Sequence, residues 1–202
     1  MTRLGMVIDL SRCIGCYSCV AACKCQNGTP KGVFWGKVLE KETGTYPNSK
    51  RTFVPVVCNH CESPACVEVC PTGATSQRAD GIVTVDYDKC IGCRYCMMGC
   101  PYNVRTFMDE VEGYFPKGLT PYEEKKYDKW QVRTVTKCTF CVERVDEGLD
   151  PMCVVTCPAE ARVFGDLEDP ESRVSQLIRE GGGTQLRPEA GTNPSVYYLP
   201  ER

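Results

Sequence analysis

Sixteen cysteines fall into four tight quartets, and this spacing constrains the fold more than any other feature of the chain. They are Cys13, Cys16, Cys19 and Cys23, then Cys58, Cys61, Cys66 and Cys70, then Cys90, Cys93, Cys96 and Cys100, and last Cys138, Cys141, Cys153 and Cys157. With a seventeenth at Cys25, cysteine makes up about 8 per cent of 202 residues, near the level at which disulfides or metal sites replace a large hydrophobic core. Disulfide frameworks scatter their cysteines, whereas these are concentrated, so metal binding is the preferred reading.

The quartets form an internal repeat. Three of them end in Cys-Pro, at Pro71, Pro101 and Pro158, and the first ends in Cys23-Lys24. Strand-like runs rich in β-branched residues lead into them: GMVIDL, TFVPVV, GIVTVDYD and QVRTV. Between the third and fourth cysteines, VAA, VEV and MMG each suit one helical turn. Ala79-Asp80-Gly81 carries hairpin chemistry before GIVTV. The unit reads as strand, ligand loop, short helix and strand, the half-module of a bacterial ferredoxin. The fold class is therefore α+β: two ferredoxin-like modules with long loop insertions and an extended C-terminal arm.

The chemistry follows from the spacing. A cubane cluster takes one thiolate per iron, so each needs four cysteines, three from a C-x2-C-x2-C loop and one from farther away. In two-cluster ferredoxins the cysteine before proline ligates the other cluster. CIGCRYCMMGCP matches this pattern fully, while CNHCESPACVEVCP and the last quartet lengthen one gap, which loops can absorb. Zinc sites share the Cys-x2-Cys pairs but do not need an exchanged Cys-Pro. A structural zinc module remains as an alternative.

The exchange has to be assigned. Residues 71–89 between the second and third quartets suffice for a hairpin, and the other separations are longer. This pairs the second quartet with the third and leaves the first to close with the fourth. Cluster one is then Cys13, Cys16, Cys19 and Cys157; cluster two is Cys23, Cys138, Cys141 and Cys153. Cluster three is Cys58, Cys61, Cys66 and Cys100; cluster four is Cys70, Cys90, Cys93 and Cys96. Pairing first with second and third with fourth is the alternative. The expected organisation is an outer module of residues 1–50 plus 111–168, an inner module of 51–110, and a C-terminal helix and arm over 169–202.

Several residues lie outside the ligand set. Cys25 reads as a free, partly buried thiol, because substituting it for Cys23 breaks the x3 spacing. His60, the only histidine, is not needed as a ligand; a hydrogen bond or charge that tunes a cluster and plain packing are both open to it. Residues 24–57 and 102–137 exceed usual connection lengths, which suggests docking or covering a cluster, or solvated loops. In DLEDPESRVSQLIREGGG, Asp169 can cap a helix, Pro170 suits its first position and the glycines end it. VYYL is expected as extended structure over this chain or a partner.

The charge, 24 Lys and Arg against 26 Asp and Glu with no basic block, excludes nucleic acid as an expected partner. Sixteen thiolates and four oxidised cubane cores would add about minus eight. No signal peptide or membrane span is visible in the sequence. Location at or beyond a membrane would therefore come from a partner.

The MVIDLSRCIGCYSC start, CNHCESPACVEVCPTGA, DYDKCIGCRYCMMGCPYNVR, KCTFCVERV, FGDLEDPESRV and EAGTNPSVYYL together resemble the four-cluster subunits of the dimethyl sulfoxide reductase family of molybdenum oxidoreductases. The likeness is nearest to the polysulfide, thiosulfate, tetrathionate and arsenate reductase types. The resemblance implies four [4Fe-4S] clusters in the same first-with-fourth, second-with-third pairing and no catalytic residue in this chain. It implies electron transfer between a large subunit carrying molybdopterin guanine dinucleotide and a quinone-binding membrane anchor or soluble redox carrier, with cluster one facing the large subunit. It also implies periplasmic or membrane-associated location by co-export, or a cytoplasmic one if the large subunit lacks an export signal. A formate, aldehyde or non-redox molybdenum or tungsten enzyme, with a tungstopterin subunit as partner in the latter case, is the alternative setting.

Overall fold

Proline directly after a cysteine removes a backbone donor and biases the preceding residue away from helix, so it ends a short helix. The computed structural model describes residues 2–201, and its helices follow this rule. They are α1 (Ser18–Asn27), α2 (Ala65–Glu68), α3 (Tyr95–Met98), α4 (Pro121–Tyr127), α5 (Val142–Val145), α6 (Met152–Val155) and α7 (Arg173–Gly181). The turns before Pro71, Pro101 and Pro158 are α2, α3 and α6, of four residues each. Where Lys24 replaces the proline, α1 runs on for ten residues until Gly28, left-handed at φ 57°, returns its N–H to the Lys24 carbonyl at 2.8 Å.

The strands are β1 (Leu4–Asp9), β2 (Lys37–Thr43), β3 (Lys50–Val56), β4 (Thr75–Gln77), β5 (Val83–Val85), β6 (Thr106–Phe107), β7 (Val135–Thr136), β8 (Arg162–Asp166), β9 (Thr184–Gln185) and β10 (Val196–Leu199). They form one four-stranded sheet, in the order β8-β1-β10-β9, and three two-stranded ladders, β2-β3, β4-β5 and β6-β7. The fold is thus the expected mixture of short strands and short helices. At the β4-β5 turn Gly81 has φ 84° and donates to the Arg78 carbonyl at 3.0 Å, while Asp80 Oδ1 accepts from the Ile82 N–H. GIVTVDYD and QVRTV contribute strands of only three and two residues.

Strand β1 reads as a continuous apolar run because both its faces are covered. Met6 and Ile8 enter the main core with Val57, Ile82, Met108, Phe140, Val196 and Tyr198, whereas Val7 packs with Val174 and Leu199 beneath α7. VYYL becomes β10, paired in parallel with β1, so the tail completes the sheet of its own chain. Helix α7 starts later than the sequence suggests. Asp169 Oδ1 accepts from the Glu171 N–H in a preceding turn, and the cap is Ser172, whose hydroxyl accepts from the Ser175 N–H at 3.2 Å.

The two long insertions pack against each other. Trp35 and Trp130 meet edge to face at 5.6 Å, Trp130 Nε1 donates to the Gly28 carbonyl at 2.6 Å, and Trp35 Nε1 donates to Thr136 Oγ1 at 2.9 Å. Both tryptophans are buried, so these segments contribute to the core.

Candidate metal centres

Each C-x2-C loop must turn the chain so that its sulfurs face one space. The residue before the second cysteine does this in all four loops, with positive φ: Gly15 at 64°, His60 at 42°, Gly92 at 69° and Phe140 at 53°. Glycine adopts this geometry freely and larger residues rarely do. The space opposite the Cβ differs among them. A Cβ on Gly92 would stand 2.1 Å from the Arg133 carbonyl oxygen, and one on Gly15 would stand 2.4 Å from the Phe53 ring. The His60 and Phe140 side chains instead stack on each other, ring centroids 3.8 Å apart, with both residues 1 % exposed.

The loops surround four cavities. The first is lined by Cys13, Cys16, Cys19 and Cys157, and spans about 360 Å³, part of it open to solvent. The second, lined by Cys23, Cys138, Cys141 and Cys153 together with Cys19, which it shares with the first, spans about 360 Å³. Cys58, Cys61, Cys66 and Cys100 line the third, about 360 Å³, and Cys70, Cys90, Cys93 and Cys96 the fourth, about 310 Å³. Each cavity thus takes three cysteines of one quartet and the last cysteine of another, which a short helix carries across. The thiols ring a space and do not converge on a point: among the described residues no three His, Cys, Asp or Glu side chains stand close enough to hold a single metal ion.

The cavities form a row. Arg162 lines both the first and second. His60 lines the third and Phe140 the second, so the aromatic stack separates these two. Arg105 lines the third and donates to Thr75, which lines the fourth, at 3.3 Å. Gly36 and Val57 of the first insertion help to cover the second cavity.

Thiol environments differ along this row. Burial, then the neighbouring thiols Cys153 and Cys141, push Cys23 up to about 12, and burial pushes Cys138 well above the usual thiol range. Burial likewise raises Cys61 to about 11. Cys16 and Cys93, at the two ends, are exposed, and the Ser18 hydroxyl lowers Cys16. Without a cation the deep thiols hold their protons; a bound metal turns them into thiolates. Backbone N–H groups already point at sulfur: Thr75 to Cys70 at 3.4 Å, Phe140 to Cys138 at 3.4 Å and Ala161 to Cys157 at 3.3 Å.

Sequence reasoning passed over four side chains around these thiols. Asn27 Nδ2, carried on the extra turn of α1, donates to Cys23 Sγ at 3.6 Å and Cys141 Sγ at 3.7 Å. Arg162 reaches Cys19 Sγ at 3.4 Å and Cys153 Sγ at 3.6 Å. Burial opposes its charge, but negative charge on the sulfurs of Cys153 and Cys19 outweighs this and holds the guanidinium above its ordinary range. Arg105 and Lys137 are buried similarly. A signal was present: Arg105 and Arg162 each stand five residues after the last cysteine of a quartet, in CPYNVR and CPAEAR, and Lys137 directly precedes Cys138.

One expectation changes and another narrows. Cys25 is exposed rather than partly buried, because two residues along a helix turn it about 200° from Cys23. It lines a separate apolar cavity with Tyr114, Phe115 and Tyr122. Burial, with Lys137 and Arg105 nearby, holds the His60 imidazole well below its ordinary pKa, which favours the neutral ring, and Nδ1 accepts from the Val83 N–H at 3.0 Å. Its role is packing and a hydrogen bond.

Comparison with known proteins gives concordant matches. A family model described as a 4Fe-4S dicluster domain matches residues 49–117 and 114–167, and a second model of the same description matches 12–74. A protein of Halobacterium salinarum assigned as the iron-sulfur subunit of a dimethyl sulfoxide reductase is 49% identical over 98% of this chain and 79% of its own length. The arsenate respiratory reductase iron-sulfur subunit of Shewanella sp. strain ANA-3 is 42% identical over 98% of this chain and 96% of its own. A sulfite dehydrogenase subunit from Allochromatium vinosum is 43% identical over the whole chain and 85% of its own.

Proposed function

The chain belongs to the 4Fe-4S dicluster iron-sulfur subunits, and from that premise we propose that it relays electrons between a molybdopterin-containing catalytic subunit and a second redox partner, a membrane quinone-linked subunit or a soluble carrier. The cofactors are four [4Fe-4S] clusters, each of which supplies one-electron chemistry when bound. Cluster one is held by Cys13, Cys16, Cys19 and Cys157, and cluster two by Cys23, Cys138, Cys141 and Cys153. Cluster three is held by Cys58, Cys61, Cys66 and Cys100, and cluster four by Cys70, Cys90, Cys93 and Cys96.

One observation carries this reading: four cavities of nearly equal size stand in one row, each ringed by three thiols of one quartet and one from another. The donor set suits iron-sulfur cubes, because a lone zinc ion needs four donors at about 2.3 Å from a single point. Substrate chemistry belongs to the partner, and this chain's residues hold, insulate and charge-balance the relay.

The ends of the row are suited to contact. Cys16 and Cys93 are the exposed thiols of their sets; Ile14 is 62 % exposed beside one, and Ile91 and Met98 are 66 % and 76 % exposed near the other. Apolar exposure of this kind at both ends supports two partners, with cluster one toward the catalytic subunit. Relatives include a sulfite dehydrogenase subunit and an arsenate reductase subunit, so the scaffold serves flow in either direction. No helix among the described residues is long and apolar enough to cross a membrane. Co-export with the catalytic subunit would give a periplasmic or membrane location, and a catalytic subunit without an export signal a cytoplasmic one.

Metal and sulfide analysis of anaerobically purified protein tests the reading. About sixteen irons and sixteen acid-labile sulfides are expected; zinc with no sulfide overturns it. Replacing Cys157 by Ser should perturb the spectroscopic signal also perturbed by Cys16→Ser, and not the one perturbed by Cys141→Ser.

A further inference from the structure

Three interior cations have no carboxylate partner. Arg105, Lys137 and Arg162 are 4 %, 1 % and 4 % exposed, and among the described residues none forms an ion pair with Asp or Glu. An unpaired buried cation is costly, so negative charge other than carboxylate must offset each one.

Their positions alternate with the cavities. Arg162 bridges the first and second, through Cys19 at 3.4 Å and Cys153 at 3.6 Å. Lys137 stands between the second and third. Its Nζ donates to the carbonyl of Cys138, which lines one, at 2.9 Å, and to that of Val83, which lines the other. Arg105 stands between the third and fourth, beside Cys66 and Cys58 on one side and Cys96 on the other, and its Nη2 has no hydrogen-bond partner among the described residues. That unpaired donor lies between two sets of thiols, where negative charge on the ligands of either site is favoured.

We propose that Arg162, Lys137 and Arg105 set the reduction potentials along the row, each raising the potentials of the two clusters it separates. This rests on reading the cavities as [4Fe-4S] sites. Adding an electron at any of them adds negative charge beside a buried cation, and a fixed cation in contact with the ligands favours that state. Arginine keeps its charge at every working pH, and a cation shared by two neighbours moves their potentials together. The residues are positioning groups: they act through the thiolate ligands and carry no electron.

Electron paramagnetic resonance redox titration of the anaerobic holoprotein tests this, with signals assigned through Cys16→Ser and Cys93→Ser. Arg162→Gln should lower the potentials of clusters one and two, each by on the order of a tenfold loss in the reduction equilibrium, about 59 mV for one electron, and leave three and four in place. Arg105→Gln should lower three and four, and Lys137→Gln the middle pair. Arg162→Lys should restore most of the loss. If Arg162→Gln does not assemble, Arg162→Lys must itself shift clusters one and two, by less, and not three and four. Unchanged potentials with about sixteen irons bound, or a uniform shift of all four, overturn the proposal while leaving the cluster reading intact. Wild-type protein lacking sulfide would instead overturn the cluster reading.

Discussion

The two outer ligand loops and the two inner ones share a backbone turn but are built from opposite residue types. Gly15 and Gly92 occupy the left-handed position at the ends of the row, and His60 and Phe140 occupy it in the middle. Positive φ alone does not require glycine here, since two large aromatic side chains adopt it. What stands opposite the Cβ decides. At the ends it is the Phe53 ring or the Arg133 carbonyl; in the middle it is the other loop's ring, and the stack joins the second and fourth quartets' loops. The thiols follow the same division. Cys16 and Cys93 are open to solvent, whereas Cys58, Cys61, Cys138, Cys141 and Cys153 are buried; Cys96, in the fourth cavity, is the one buried thiol at an end.

Truncating the middle should cost most. Phe140→Ala removes a buried ring shared by His60 and Phe164, and a loss of about 3–5 kcal/mol is expected. For a chain of this size that lowers the thermal midpoint on the order of 10 °C, read from bleaching of the iron-sulfur absorption. A change of only 1–2 °C would show that the stack is not the joint. Gly92→Ala comes next, at about 2–3 kcal/mol: left-handed alanine costs about 1–2 kcal/mol, and the Arg133 backbone must also move. Signals of cluster four should broaden or vanish while those of clusters one and two persist. Gly15→Ala should be mildest, about 1–2 kcal/mol, because the Phe53 ring can rotate away. Equal losses for the two glycine variants would mean that φ, and not the opposing backbone, sets the requirement.

The repeat and the strand-ligand-helix unit were legible because cysteine spacing is local and each Cys-Pro stops a helix where it stands. The hairpin at Gly81 was legible for the same reason. Helix α7 was found with its start misjudged, since Asp169 satisfied a turn before Ser172 could cap. The length of α1 was missed, although the cause, Lys24 in place of proline, was in view. With that extra turn came Asn27 against two sulfurs and Cys25 on the outer face. Parallel pairing of β1 with β10 joins residues 190 apart, and no local signal announces it.

By itself the sequence determined the sixteen candidate ligands, the size of the repeat and the class of cofactor, because thiolate number and spacing are chemical requirements met within a dozen or so residues. Tertiary structure alone decided that the four cavities stand in one row, that His60 and Phe140 close its centre, and that Arg162, Lys137 and Arg105 occupy its junctions. Those are contacts between segments remote in the chain. They arise from burial, which gathers side chains by the space they fill and the charge they must offset, and that leaves little trace in any short stretch of residues.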